Sequence, residues 1–159
     1  MIDLSPVKAL LNADAIIFAS DYGRKAVTES WIQRLNKQIK NLDQVKEFTN
    51  INIATGRESL IVDVDLDCPE ANDLADYFLP KTELIFGRES TPRAHRLFKV
   101  IDLTQKHTRT YCSFDSDKKS MLVEIRANKH YTMCLGQYDN EEKVIWSSTG
   151  VPTETSWEA

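Results

Sequence analysis

The residues with the clearest chemical potential are three aspartates at alternate positions, Asp63, Asp65 and Asp67, in the run Ile61-Val62-Asp63-Val64-Asp65-Leu66-Asp67. Strand side chains alternate between faces, so this spacing sets Val62, Val64 and Leu66 on one side and the three carboxylates on the other. Like charges this close raise one another's pKa and cost stability. Water or a cation must offset them, and a hard divalent ion such as Mg²⁺ suits an all-oxygen donor set. The alternative is a solvated edge strand whose acids only discourage pairing. The apolar flanks favour a central strand, where an acidic ladder has little reason to exist without a ligand.

A second carboxylate strand is Met121-Leu122-Val123-Glu124-Ile125-Arg126, with Glu124 and Arg126 sharing a face. If this strand lies beside the acidic one, Glu124 becomes a further metal ligand and Arg126 its orienting partner. Otherwise the two form an ordinary surface salt bridge. A third segment runs from Phe86 to Lys99 and carries Arg88, Ser90, Arg93, His95 and Lys99. Arginine forks and a histidine suit a triphosphate, which needs several donors at once. Taken singly, His95 is more commonly a hydrogen-bonded core histidine, and the basic loop a solvated surface. His107 and His130 lack ligand spacing and read as surface residues.

The elements that must hold these groups follow from periodicity. Strands are expected over 15–19, 48–54, 60–67, 84–86, 94–101, 108–114, 121–126, 131–135 and 144–146, with a loop over 87–92. Short helices are expected over 6–11, capped by Ser5, and over 70–78, opened by Pro69. Trp31, Leu35 and Ile39 recur at helical spacing, which predicts an amphipathic helix from Thr28 to near Asn41. The sum is an α+β domain, a mainly antiparallel or mixed sheet with helices packed on it, over residues 1–148. Residues 149–159 are polar, carry Gly150 and Pro152, and read as a C-terminal tail or linker.

At 159 residues the chain suits one domain with its own core. The net charge of −4 opposes tight, general nucleic-acid binding. The balance is uneven, because Arg88, Arg93, Arg96, Lys99, Lys106 and Arg109 follow an acidic first half and allow one basic groove. No apolar run approaches a membrane span and no signal peptide is expected. The three cysteines form no CxxC pair, so reduced thiols in a cytoplasmic protein are the simplest reading. No GxxxxGK[ST] loop or nucleophile elbow is present.

Together these segments resemble the primase-polymerase branch of the archaeo-eukaryotic primase superfamily. The match runs through Val62-Asp63-Val64-Asp65-Leu66-Asp67, Phe86-Gly87-Arg88-Glu89-Ser90-Thr91-Pro92-Arg93-Ala94-His95, and Val123-Glu124-Ile125-Arg126. Gly23-Arg24-Lys25 with Trp31 faintly resembles the family's N-terminal signature. Two positions depart from it: Ala94 stands where a serine often precedes the histidine, and Leu135-Gly136-Gln137 stands where a Pro-Gly-Ser turn is favoured. The resemblance implies an RRM-like catalytic core in which Asp63, Asp65 and Glu124 hold Mg²⁺ or Mn²⁺. It implies that His95, with Arg93, Arg88, Lys99 and Ser90, binds the phosphates of an incoming dNTP or NTP. The implied reaction is template-directed nucleotidyl transfer to a primer 3′-hydroxyl on single-stranded DNA, in virus or plasmid replication, with a helicase domain or protein as partner. Asp67 is the weaker ligand candidate. Two other readings remain: a nucleotide or primer-template binding module that needs further C-terminal domains for turnover, and a metal-dependent nuclease.

Overall fold

The computed structural model describes residues 3–20, 36–47, 50–107, 109–113, 121–138 and 141–158. Helix α1, Ser5–Asn12, starts with Pro6 in its first turn and buries Pro6, Val7 and Leu10. Leu4 takes the cap position without a side-chain bond, so Ser5 does not cap the helix as expected. Asp3 supplies the carboxylate instead, accepting from the Ser5 N–H at 2.9 Å and its hydroxyl at 2.7 Å. Helix α2, Pro69–Phe78, also begins at a proline, and the Cys68 sulfur accepts from the Ala71 N–H at 3.4 Å.

Among the described residues the strands form two sheets. The first has the order β2–β1–β3–β9, from Gln38–Ile39, Ile17–Ser20, Asn50–Thr55 and His130–Leu135. The second has the order β10–β5–β6–β4–β8–β7, from Val144–Thr149, Leu84–Arg88, Thr91–Val100, Ile61–Leu66, Met121–Arg126 and Arg109–Ser113. These pairings are antiparallel; β11, Thr153–Thr155, adds to β6 in parallel. The molecule is therefore α+β with mostly antiparallel sheets, as expected. No helix among the described residues is long and apolar enough to cross a membrane.

The period-2 pattern of β4 divides the core. One apolar cluster draws on both sheets and α1, with Ile17, Ile51, Ile53, Ile61, Phe86 and Leu97 among its buried members. The other lies on the α2 side of the second sheet and contains Val62, Val64, Leu66, Phe98 and Ala75. The carboxylates alternate with this second set, so they face the first sheet. All six residues of β4 are buried, and the strand has a neighbour on each side. That removes the solvated-edge alternative.

Three further expectations change. The helix expected over 28–41 lies largely outside the described residues, as do Gly23-Arg24-Lys25 and Trp31. Its last part is not helical: Ile39 lies in β2, opposite Ile17 of β1. The loop over 87–92 shrinks to a tight hairpin, because β5 runs to Arg88 and β6 begins at Thr91. A Cβ on Gly87 would meet the Thr91 carbonyl at 2.2 Å and the Arg93 nitrogen at 2.8 Å, so this close passage needs a glycine. Residues 149–159, expected as a tail or linker, include β11, and Trp157 packs against the α2-side core.

Candidate metal centre

The acidic site is assembled by register. On β4, Asp65 stands opposite His95 of β6 on one side and opposite Glu124 of β8 on the other. Asp63 stands opposite Leu97 and Arg126. Directly opposed residues share a face, and neighbouring strands lie about 4.8 Å apart, so Glu124, Asp65 and His95 form one row across the sheet. The adjacency that sequence could only make conditional is thus present.

Asp63 is the buried anchor of this group, with 0% exposure. His95 Nδ1 lies 3.1 and 3.3 Å from its two oxygens, and 3.5 Å from Asp65 Oδ1. The Thr132 hydroxyl, reaching across from β9 of the first sheet, donates to Asp63 Oδ2. Arg126 Nη1 is 3.5 Å from the same oxygen and 3.2 Å from Thr132 Oγ1. Its Nη2 donates to Glu124 Oε2 at 2.9 Å and also to Asp65 Oδ2. The His95 ring stacks on Phe86 with centroids 4.7 Å apart, and Phe86 packs on Trp146 at 4.5 Å.

The protonation states follow from these contacts. Burial alone would raise the Asp63 pKa, but His95, Arg126 and Thr132 outweigh it and hold the carboxyl below its ordinary value. Burial would lower the His95 pKa, yet the Asp63 and Asp65 carboxylates raise it above 6.5. Asp65 is pushed up, first by burial and then by Asp63 and Glu124 against the two cations. Asp67 is pushed up to about 6, by burial and then by the Asp65 charge. Among the described residues, His95 and Arg126 are the cations in contact with Asp63 and Asp65, and Arg126 also meets Glu124.

Among the described residues, a donor set that fits a metal ion is Asp65, Asp67 and Glu124, whose ligand atoms lie within 4.8 Å of one another. Asp65 and Glu124 are buried while Asp67 is exposed, so the cluster opens to solvent at Asp67. Three carboxylates in this span suit a hard divalent cation. The expected set Asp63, Asp65 and Glu124 shares two members with it. Asp63 is already engaged by His95, Thr132 and Arg126, which leaves Asp67 as the oxygen donor facing outward.

Of the expected phosphate-binding residues, His95 contacts the carboxylates. Arg93 has φ of +63°, and its Nη2 lies 3.0 and 3.2 Å from the Asp76 oxygens of α2, on the other face of the sheet. Arg88 Nε donates to Thr91 Oγ1 at 3.1 Å, lies 3.5 Å from Glu142 Oε2, and its guanidinium sits over Tyr138. The Ser90 N–H donates to Glu142 Oε1 at 2.9 Å. Lys99 pairs with Glu154 at 3.2 Å. Thr132 was not singled out from sequence: a threonine on a short strand carries no signal for a contact made across two sheets.

No known family model and no curated protein matches the chain.

Proposed function

We propose that this chain is a primase-polymerase type catalytic domain that transfers a nucleotide from a dNTP or NTP to a primer 3′-hydroxyl on a single-stranded DNA template. The observation that carries the reading is the row Glu124–Asp65–His95 across three paired strands, with Asp67 at its open side. The same residues carry the sequence resemblance. A bound Mg²⁺ or Mn²⁺ would supply charge neutralisation for the triphosphate and activation of the attacking hydroxyl.

The chain's own residues divide the remaining work. Asp65, Asp67 and Glu124 would hold the ion. Asp63 would hold the ring of His95 through Nδ1–H, which leaves Nε2–H to donate to a phosphate oxygen. Arg126 would fix the rotamers of Asp65 and Glu124 while offsetting part of their charge. Arg88 and Ser90, on the neighbouring hairpin, remain candidates for contacts further along the nucleotide. Arg93 pairs with Asp76 and Lys99 with Glu154, while Arg88 and Ser90 meet Glu142, an acid that a nucleotide would have to displace.

Primer extension tests this directly. With Mn²⁺ present, the wild-type chain should incorporate dNTPs on a primed template, and Asp65→Ala with Glu124→Gln should lose at least about a thousandfold of that rate. Undiminished incorporation by that variant would remove the metal role.

One observation favours a second reading. Arg126 already bridges Asp65 and Glu124, as an internal cation would. On that reading the domain binds nucleotide without turning it over. Calorimetry showing dNTP binding, together with no incorporation on any primed template, selects the binding module.

A further inference from the structure

On the outer face of the second sheet, α2 lies over β4 and β6. One flank of the helix is tied to β6: Asn72 donates to the Pro92 carbonyl at 2.6 Å, and Asp76 pairs with Arg93 and Arg96. Helix residues three or four apart are neighbours, so Glu70, Leu74 and Phe78, with Ala71, line the opposite flank. That flank looks toward β8 and β7. There Leu66, Val123 and Cys112 stand in register across β4, β8 and β7 and share the outer face. Val123 is half-buried and Cys112 is exposed.

Between helix and strands runs an apolar groove of about 380 Å³, lined by Leu66, Ala71, Leu74, Phe78, Cys112 and Val123 among others. Leu74 is 50% exposed, Phe78 79% and neighbouring Tyr77 83%. Large apolar side chains gathered in water beside a groove mark a binding surface, and aromatics are frequent interface anchors.

The rim charges and the size of the patch select the occupant. α2 carries Glu70, Asp73 and Asp76 and no lysine or arginine. Asp76 is held by Arg93 and Arg96, which leaves Glu70 and Asp73 on the exposed rim. Such a rim repels a phosphodiester backbone or an anionic lipid surface and attracts lysine and arginine. A whole aromatic side chain offers about 150–250 Å², so Tyr77, Phe78 and Leu74 together expose on the order of 400 Å². A stable dimer needs roughly 800 Å² per partner, which argues against a second copy and for a smaller docked element. Two strands about 4.8 Å apart give a strip of about 10 Å beside α2, the spacing at which one helix packs on another.

We propose that this groove docks an amphipathic helix of a partner protein, laid beside α2. Its apolar residues, at i, i+3 or i+4, and i+7, seat between Phe78 and Val123, and its lysine or arginine flank faces Glu70 and Asp73. The site does not depend on the carboxylates of the other face or on the nucleotidyl-transfer reading.

The test uses the full chain and a fluorescein-labelled designed peptide of about 18 residues, long enough to hold a helix, with leucines on one stripe and lysines on its flanks. Anisotropy should show saturable binding. A counterpart with glutamate in place of lysine should bind at least about tenfold more weakly. Leu74→Ser and Phe78→Ser, both at exposed positions, should each weaken the lysine peptide by about fivefold or more. Glu70→Lys with Asp73→Lys should reverse the preference toward the glutamate peptide. Absence of binding, equal affinity for the two peptides, or indifference to Leu74→Ser and Phe78→Ser would overturn the proposal. So would displacement of the peptide by an oligothymidylate, or sedimentation showing that the chain alone forms a dimer that Phe78→Ser dissolves.

Discussion

At His95 the protonation state is decided by a contest between burial and charge, and charge wins because Asp63 lies in contact with Nδ1. A histidine raised above 6.5 adds stability that is full below that value and is lost as pH rises through the folded pKa. Asp63, lowered below 3.8, adds stability that is full above 3.8 and is lost as pH falls through its folded pKa. The pair therefore supports the fold in the window between. Asp63→Asn removes the partner of two buried cations and should cost about 3–5 kcal/mol in urea unfolding. Asp67 has the opposite sign. Its pKa is raised to about 6, so the folded state binds more protons than the unfolded one, and stability declines as pH climbs from 3.8 toward that value. Asp67→Asn should therefore raise the melting temperature at pH 7.5 in EDTA and leave it unchanged at pH 3. The gain is small, on the order of a degree, because solvent screens an exposed carboxylate. The same substitution should weaken Mn²⁺ binding in calorimetry by about tenfold or more. A lower melting temperature at pH 7.5 would mean that Asp67 is not under charge strain.

At the level of elements, alternation along β4 was legible because a buried strand with one polar face leaves a strict period-2 pattern. The helical start at Pro69 was legible for a similar local reason. The β5–β6 hairpin was not. Residues 87–92 hold a glycine, a proline and polar side chains, a composition that suits an open loop equally well. What closes the turn is the passage of the Thr91–Ala94 backbone through the space that a Gly87 side chain would occupy, a proximity that composition does not encode. That hairpin and the positive φ of Arg93 send its guanidinium to Asp76 instead of to the carboxylates. Gly87→Ala should force the two strands apart and cost about 1–3 kcal/mol. His95 opposes Phe86 one residue before that glycine, so on the proposed nucleotide-binding reading the same variant should also lose nucleotide affinity in titration. Unchanged stability and affinity would show that the backbone there yields freely. Ile39 was misread for a different reason. Its spacing from Trp31 and Leu35 fits a helix, but cross-strand pairing with Ile17 sets its conformation, and tertiary pairing overrides local period.

On the scale of the whole molecule, the second sheet separates two chemistries. Its inner face presents carboxylates to Thr132 of the first sheet, and its outer face presents Arg96 to α2. The C-terminal segment belongs to the outer side. β11 extends β6 in parallel over Phe98 to Val100, and Trp157 stacks on His107 with centroids 4.4 Å apart and planes 4° from parallel. The Trp157 N–H donates to Asp102 Oδ1 at 2.8 Å. Polarity along 149–159 hid this role, since a three-residue parallel strand offers too short a pattern to register. If the segment is structural, Trp157→Ala should lower unfolding stability by about 2 kcal/mol, less than a fully buried tryptophan would because the side chain is only half-buried. Mn²⁺ affinity should stay within a factor of two, because Asp65, Asp67 and Glu124 are on the other face of the sheet. A loss of metal binding matching the loss of stability would mean that the two faces are coupled through β4, and that the segment helps to shape the acidic row as well as to close the core.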